Sequence, residues 1–286
     1  MNVPSSINDG CTLTIGINTK IGENLTCNRF VSIGNNSIIG NNVTLGFNTY
    51  IGSSVYVGDN VVLGDNVKIF DKCKVGANTI IENNCEIGYS RMSKKKEYFE
   101  DYPLSIGDNC IIRSGAVIYC ACIIGHDSWI GNYTIIRENT KIGNNTTFGS
   151  HIMCEGYSTF GNNVKVYSFC ELGGNIEVED YVFIGPSVTT ANNPRPVIGA
   201  GKLTTHRWND GKQKVVDKGP TIRFGAKIGI AATLLAEIEI GRNALVAAGA
   251  IVTKDVPENS VVRGVPAKQV SEVPEYERNI FTEEIH

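Results

Sequence analysis

No run in this sequence approaches the ~18 consecutive apolar residues that a membrane-spanning helix needs. Its first residues, MNVPSSINDG, lack the basic segment and apolar stretch of a secretory leader. With those two patterns missing, a cytoplasmic protein is the expectation. A basic stripe is also lacking, and a formal net charge of −3 offers little to a nucleic-acid backbone or an anionic membrane. Histidine is scarce, four in 286 residues. His206 lies in an irregular segment and His286 at the end, too few and too scattered for a zinc site built on three histidines. Charge is sparing as well: 19% charged residues against 42% hydrophobic ones describe a chain that buries a core.

What is present is a period of six. Stepping by six from Ile15 to Ile87, from Ile106 to Ile184 and from Ile222 to Val252 lands on an apolar residue every time, thirty-three units in three runs. Gly follows the apolar residue in most units of the first run, and a small or branched residue such as Val55, Val61 or Thr79 sits four places after it. A helix needs apolar residues every three or four positions and a plain strand needs alternation. A strict six fits neither, but it fits a coil of short strands joined by turns, with positions 1 and 5 of each unit pointing inward. Gly and Asn at positions 2 to 4 are expected to supply corners with unusual φ. Three units per coil predict about 11 coils.

Seven of the nine cysteines follow the same phase. Cys27 and Cys154 occupy position 1, and Cys73, Cys85, Cys110, Cys122 and Cys170 occupy position 5, so they read as small core hydrophobes rather than ligands or disulfide partners. The Asn-x-Thr triplets at Asn24, Asn42, Asn132 and Asn144 read as turn asparagines beside Thr.

The repeated [aliphatic]-Gly-x-x-[small]-x motif, over about residues 11 to 268, resembles the left-handed β-helix hexapeptide-repeat acyltransferases. That resemblance implies an all-β fold, a left-handed parallel β-helix over residues 1–270. Loop insertions are expected at about 89–104 and 191–220, and a short helical tail at 271–286. IEIGRNALVAAGAIVTKDVPENSVVRGVPAKQV, residues 238–270, looks like the coenzyme-A-binding end of these enzymes. By that likeness Ala231, Ala248 and Gly249 leave backbone amides open to a pantetheine arm, while Arg242, Lys254, Arg263 and Lys268 face the nucleotide phosphates. The plain alternative is that Ala and Gly narrow the last coils and the basic residues are solvated.

Residues 112–145 and 178–194 resemble the subgroup that acylates nucleotide-linked amino sugars. The resemblance implies an enzyme that moves an acyl group, usually acetyl, from acyl-CoA to the C3 or C4 amine of a UDP- or dTDP-linked deoxysugar in surface glycan biosynthesis. It implies a homotrimer with sites between subunits, and no metal. Many relatives read TGHxxxIRE where this chain has IGNYTIIREN, so Asn132 stands in the place of their histidine. One coil being eighteen residues, His151 is expected beside Asn132, about one strand spacing away, as a replacement base or orienting group. Its alternative is a surface turn histidine. His126 lies one unit before Asn132 on another face, turned toward a neighbouring subunit's site in a trimer. Asn192, in TTANNP, matches an asparagine that relatives place near the reacting amine. Arg137 and Glu138 follow the IRE signature, Glu138 as a ligand of the amine or sugar hydroxyls, or else as an outward surface pair with Arg137. Tyr89, Arg91 and Trp208, in or beside the insertions, are further candidates for the nucleotide sugar. Some enzymes of this group use no protein base, the departing thiolate taking the proton.

Three other readings share the rod. A γ-type carbonic anhydrase needs three histidines around zinc. A coenzyme-A-dependent O-acetyltransferase of a sugar or of serine favours a clear catalytic histidine. A non-enzymatic scaffold or ice-binding rod would show Thr-x-Thr ladders, whereas the outward positions here mix charge and Asn.

Overall fold

The computed structural model describes residues 12–89, 103–194 and 218–278. Among them it contains thirty-six short strands, most of two residues, and one 3-10 turn. The chain divides into two compact units, residues 1–152 and 153–286. Each is a parallel β-solenoid of hexapeptide repeats, as the left-handed β-helix reading expects. No helix among the described residues is long and apolar enough to cross a membrane.

In the first unit every strand pairs in parallel with the strand three units away. Lys68–Ile69 lies between Tyr50–Ile51 and Glu86–Tyr89, and Ile80–Ile81 lies between Val62–Leu63 and Ile111–Ile112. The second unit repeats the pattern, with Glu171–Leu172 between Met153–Cys154 and Thr189–Thr190. Positions 1 and 5 fill the interior: Ile51, Val55, Val57, Val61 and Leu63 are all at most 1% exposed. The eight described cysteines are buried thiols. Burial pushes the Cys73 thiol up to about 12 and the Cys85 and Cys170 thiols up to about 11, which suits inert core residues.

The corners correct one expectation. Left-handed backbone is concentrated at position 4, where Asn42, Asn48, Asn60 and Asn66 have φ of 54–59°. Asparagine tolerates this region better than most residues. The position-2 glycines serve another purpose. A Cβ on Gly46 would lie 2.4 Å from the backbone carbon and oxygen of Gly64, and one on Gly34 would lie 2.5 Å from Gly52. Glycine is there because the next coil comes too close for a side chain.

Both breaks in phase are insertions between paired strands. Lys74 pairs with Ser105, and Glu177 with Thr221, where an uninterrupted coil would use eighteen residues. The coils number about twelve, against the eleven predicted. The six-residue phase stops at Val252, yet Ser260–Arg263 still pairs in parallel with Leu245–Val246. Of the tail expected to be helical, 271–286, residues 279–286 lie outside the described residues. Lys268–Glu272 is a strand, antiparallel to Ser260–Arg263, and the described helical content is the single 3-10 turn Glu275–Glu277.

Candidate functional site

The first unit holds four of the residues expected to do chemistry, His126, Asn132, Glu138 and His151. Trp129–Ile130 pairs with Thr147–Phe148, and the His151 N–H donates to the Asn132 carbonyl at 2.8 Å. The expected adjacency is therefore present along the backbone. The His151 ring stacks on Tyr133, with centroids 5.3 Å apart and planes 23° apart. Tyr133 has room because it faces Gly115, where a Cβ would lie 2.5 Å from its ring.

Glu138 is not part of an outward pair. Its side chain is 1% exposed, and Arg137 holds both carboxylate oxygens, Nε to Oε2 at 3.1 Å and Nη2 to Oε1 at 2.9 Å. A buried carboxylate requires such a partner. His126 is exposed, and its Nδ1 lies 2.6 Å from Asp127 Oδ2. Tyr89 packs edge-on between Phe70 and Tyr119, at 5.9 and 5.2 Å. Arg91 and Trp208 lie outside the described residues.

In the second unit, Asn192 Nδ2 donates to Glu155 Oε2 at 3.4 Å, and the Gly174 N–H donates to the same oxygen at 3.3 Å. Glu171 is close by, its carboxyl pushed up first by burial and then by the charge of Glu155. Ala248 lines an apolar groove of about 380 Å³ with Phe183, Gly229, Leu245 and Ala247, and Lys227 supplies its one charge. Gly229 and Ala248 meet because the coils stack them: a Cβ on Gly229 would lie 2.5 Å from the Ala248 nitrogen. Gly249, at φ 67°, and Ala231, at φ 56°, occupy left-handed corners, and the Gly249 N–H donates to the Ile230 carbonyl at 2.8 Å.

The basic residues do not gather at this groove. Arg242 lies over the Phe224 ring at 4.3 Å and lines a separate pocket of about 430 Å³, with Arg223, Glu179, Glu239, Asp255 and Glu258. Lys254 is exposed, and Arg263 and Lys268 face each other across the antiparallel pair, also exposed. Lys227 was not singled out from the sequence, since Lys recurs at outward position 6 throughout the rod. Here its Nζ donates to the Glu277 carbonyl at 2.7 Å, beside the groove.

Two family descriptions match the chain. "Bacterial transferase hexapeptide (six repeats)" covers residues 121–151, and "Hexapeptide repeat of succinyl-transferase" covers 37–70 and 226–254. The chain carries the transferase hexapeptide repeat. The matches support the hexapeptide-repeat acyltransferases as its family, and residues 226–254 contain most of the groove. A putative serine acetyltransferase of Schizosaccharomyces pombe is 51% identical over 57 residues, 20% of this chain and 21% of that protein. A 2,3,4,5-tetrahydropyridine-2,6-dicarboxylate N-acetyltransferase of Staphylococcus aureus is 50% identical over 56 residues, 18% of this chain and 23% of that protein. The chain thus spans about a fifth of the length of the curated relatives it matches. A crystal structure of serine acetyltransferase with coenzyme A from Brucella abortus is 29% identical over 41% of each chain, with a TM-score of 0.30.

Proposed function

We propose that this protein is an acyl-CoA-dependent acetyltransferase. Its acceptor is the C3 or C4 amine of a UDP- or dTDP-linked amino deoxysugar, and it works as a homotrimer in glycan biosynthesis. The observation that carries the reading is the groove at Gly229, Ala247 and Ala248, inside the segment matched as a transferase repeat. A pantetheine arm is narrow, largely apolar and studded with amides. An apolar slot in which Gly229, Ala247 and Ala248 leave room between Phe183 and Leu245, with Lys227 in its lining, suits its apolar length. The amine nitrogen bonds to the thioester carbonyl carbon, the C–S bond breaks, and the nitrogen's proton ends on the departing thiolate, directly or through a base.

Lys227 serves the anionic part of the coenzyme in this reading. Lys227→Ala is expected to raise the KM for acetyl-CoA by about five- to tenfold, the loss of one charged contact of roughly 1–1.4 kcal/mol, with kcat within about twofold. Steady-state kinetics at saturating acceptor checks it, and an unchanged KM removes Lys227 from the site.

A hydroxyl acceptor is the second reading. It is favoured by the relatives described as serine acetyltransferases and by the His126–Asp127 pair, since a hydroxyl is a weaker nucleophile than a neutral amine and needs a base to take its proton as it attacks. The chemistry of the product separates the two. Incubation with acetyl-CoA and a panel of amino sugars, together with serine, is expected to yield an acetylated product that resists hydroxylamine, as an amide does. A product cleaved by hydroxylamine is an ester and establishes the second reading.

A further inference from the structure

The chain itself reaches the charged side of the coenzyme groove. Lys227 is the one charged residue in the groove lining, and its Nζ donates to the Glu277 carbonyl at 2.7 Å. A short, braced turn presents that carbonyl. Val273 anchors the segment: it is 1% exposed, and its N–H donates to the Asn259 carbonyl at 2.7 Å. The Glu277 N–H then donates to the Pro274 carbonyl at 2.9 Å and the Arg278 N–H to the Glu275 carbonyl at 3.1 Å, closing the 3-10 turn Glu275–Glu277. Arg278 ties the far end back, Nε to the Val273 carbonyl at 2.9 Å and Nη2 to Glu272 Oε2 at 3.3 Å.

Beyond Val273 the segment buries little. Pro274, Glu275, Tyr276 and Glu277 are all exposed, Tyr276 by 83%. A turn with so little apolar contact opens at small cost. Residues 272–278 also carry three glutamates and one arginine, a net charge of −2. Coenzyme A is anionic through its phosphates, so this charge opposes it at the lysine. A neutral carbonyl is in turn a weaker partner for an ammonium than a phosphate oxygen. The three N–H groups of Lys227 sit on one atom, so a phosphate that reaches it shares its approach with the turn.

We infer that residues 274–278 form an autoinhibitory strap, which holds Lys227 until the phosphates of the coenzyme displace it. The inference rests on the coenzyme reading of the groove for the identity of the displacing ligand. The tether between Lys227 and the turn does not depend on that reading. A strap closed in about three-quarters to nine-tenths of the molecules weakens the apparent affinity about four- to tenfold.

Two substitutions in the full chain loosen the strap without touching the groove. Glu277→Pro removes the N–H that closes the turn on Pro274, and Arg278→Ala removes the brace to Val273. Neither residue is buried, so the fold is kept. Isothermal titration with coenzyme A is expected to give the double variant a Kd about four- to tenfold below that of wild type. In the Lys227→Ala background the same two substitutions should change Kd by less than about 1.5-fold, because the strap is already released.

Limited trypsin digestion reads the tether with no ligand present. Cleavage after Arg278 is expected to run about four- to tenfold faster in Lys227→Ala than in wild type, in step with the open fraction. Added coenzyme A should speed the same cleavage in wild type. Coenzyme A that binds wild type but gains nothing from the loosened strap, or gains as much without Lys227, overturns the inference alone. A cleavage rate that Lys227→Ala leaves unchanged does the same. Coenzyme A that binds none of these proteins overturns the functional reading, and the inference with it.

Discussion

Ala248→Trp is expected to raise the KM for acetyl-CoA about 100-fold, equivalent to roughly 2.7 kcal/mol of binding. Ala248 lies on the surface at the rim of the groove formed with Gly229 and Ala247, so an indole there fills the slot without entering the core. Far-UV circular dichroism and the melting temperature should stay close to wild type. An unchanged KM with intact fold means the coenzyme arm lies elsewhere. Arg242→Ala is a useful contrast. Arg242 lines the separate pocket over Phe224, so its loss should change that KM by less than about twofold if the groove alone holds the coenzyme.

The second large effect is on stability. Gly46→Ala places a methyl group 2.4 Å from the Gly64 backbone, and neither coil can yield without breaking its ladder. Gly46 itself donates to the Leu63 carbonyl at 2.8 Å. The expected cost is about 2–3 kcal/mol, the upper range for forcing a methyl into a packed interior. Gly249→Ala tests the other reason for a glycine. Its φ is 67°, but no atom lies within 4 Å of the new Cβ, and Ala231 adopts φ 56° at a like corner. Its cost should be about 1–2 kcal/mol, the ordinary penalty of a left-handed alanine. Thermal melts of the two variants rank the causes. If Gly249→Ala melts lower than Gly46→Ala, backbone conformation rather than coil spacing fixes the repeat.

The fold was legible because burial acts on a strict period. Every apolar residue at position 1 had to face inward for the coils to close, so the interior could be read without knowing a single contact. The glycines misled for a physical reason. Their spacing shows that a side chain is unwelcome, not whether the backbone or the neighbouring coil forbids it. The site was less legible. Eighteen-residue stacking placed His151 against Asn132, and their backbones do meet, but the stacking of the His151 ring on Tyr133 was not legible in the spacing. Glu138 was read as a ligand of the amine or sugar hydroxyls or else as half of an outward pair, and its burial against Arg137, which removes the second of these, could not be seen in the IRE signature. Lys227 was hidden among similar lysines, and its place depends on which residues flank it three units away.

The most direct test of acyl transfer is the initial rate of free thiol release from acetyl-CoA, with and without a UDP- or dTDP-linked amino sugar. The account predicts release that depends on the amino sugar, saturates with it and falls sharply in Ala248→Trp. Thiol release that no amine accelerates, or that Ala248→Trp leaves unchanged, contradicts it.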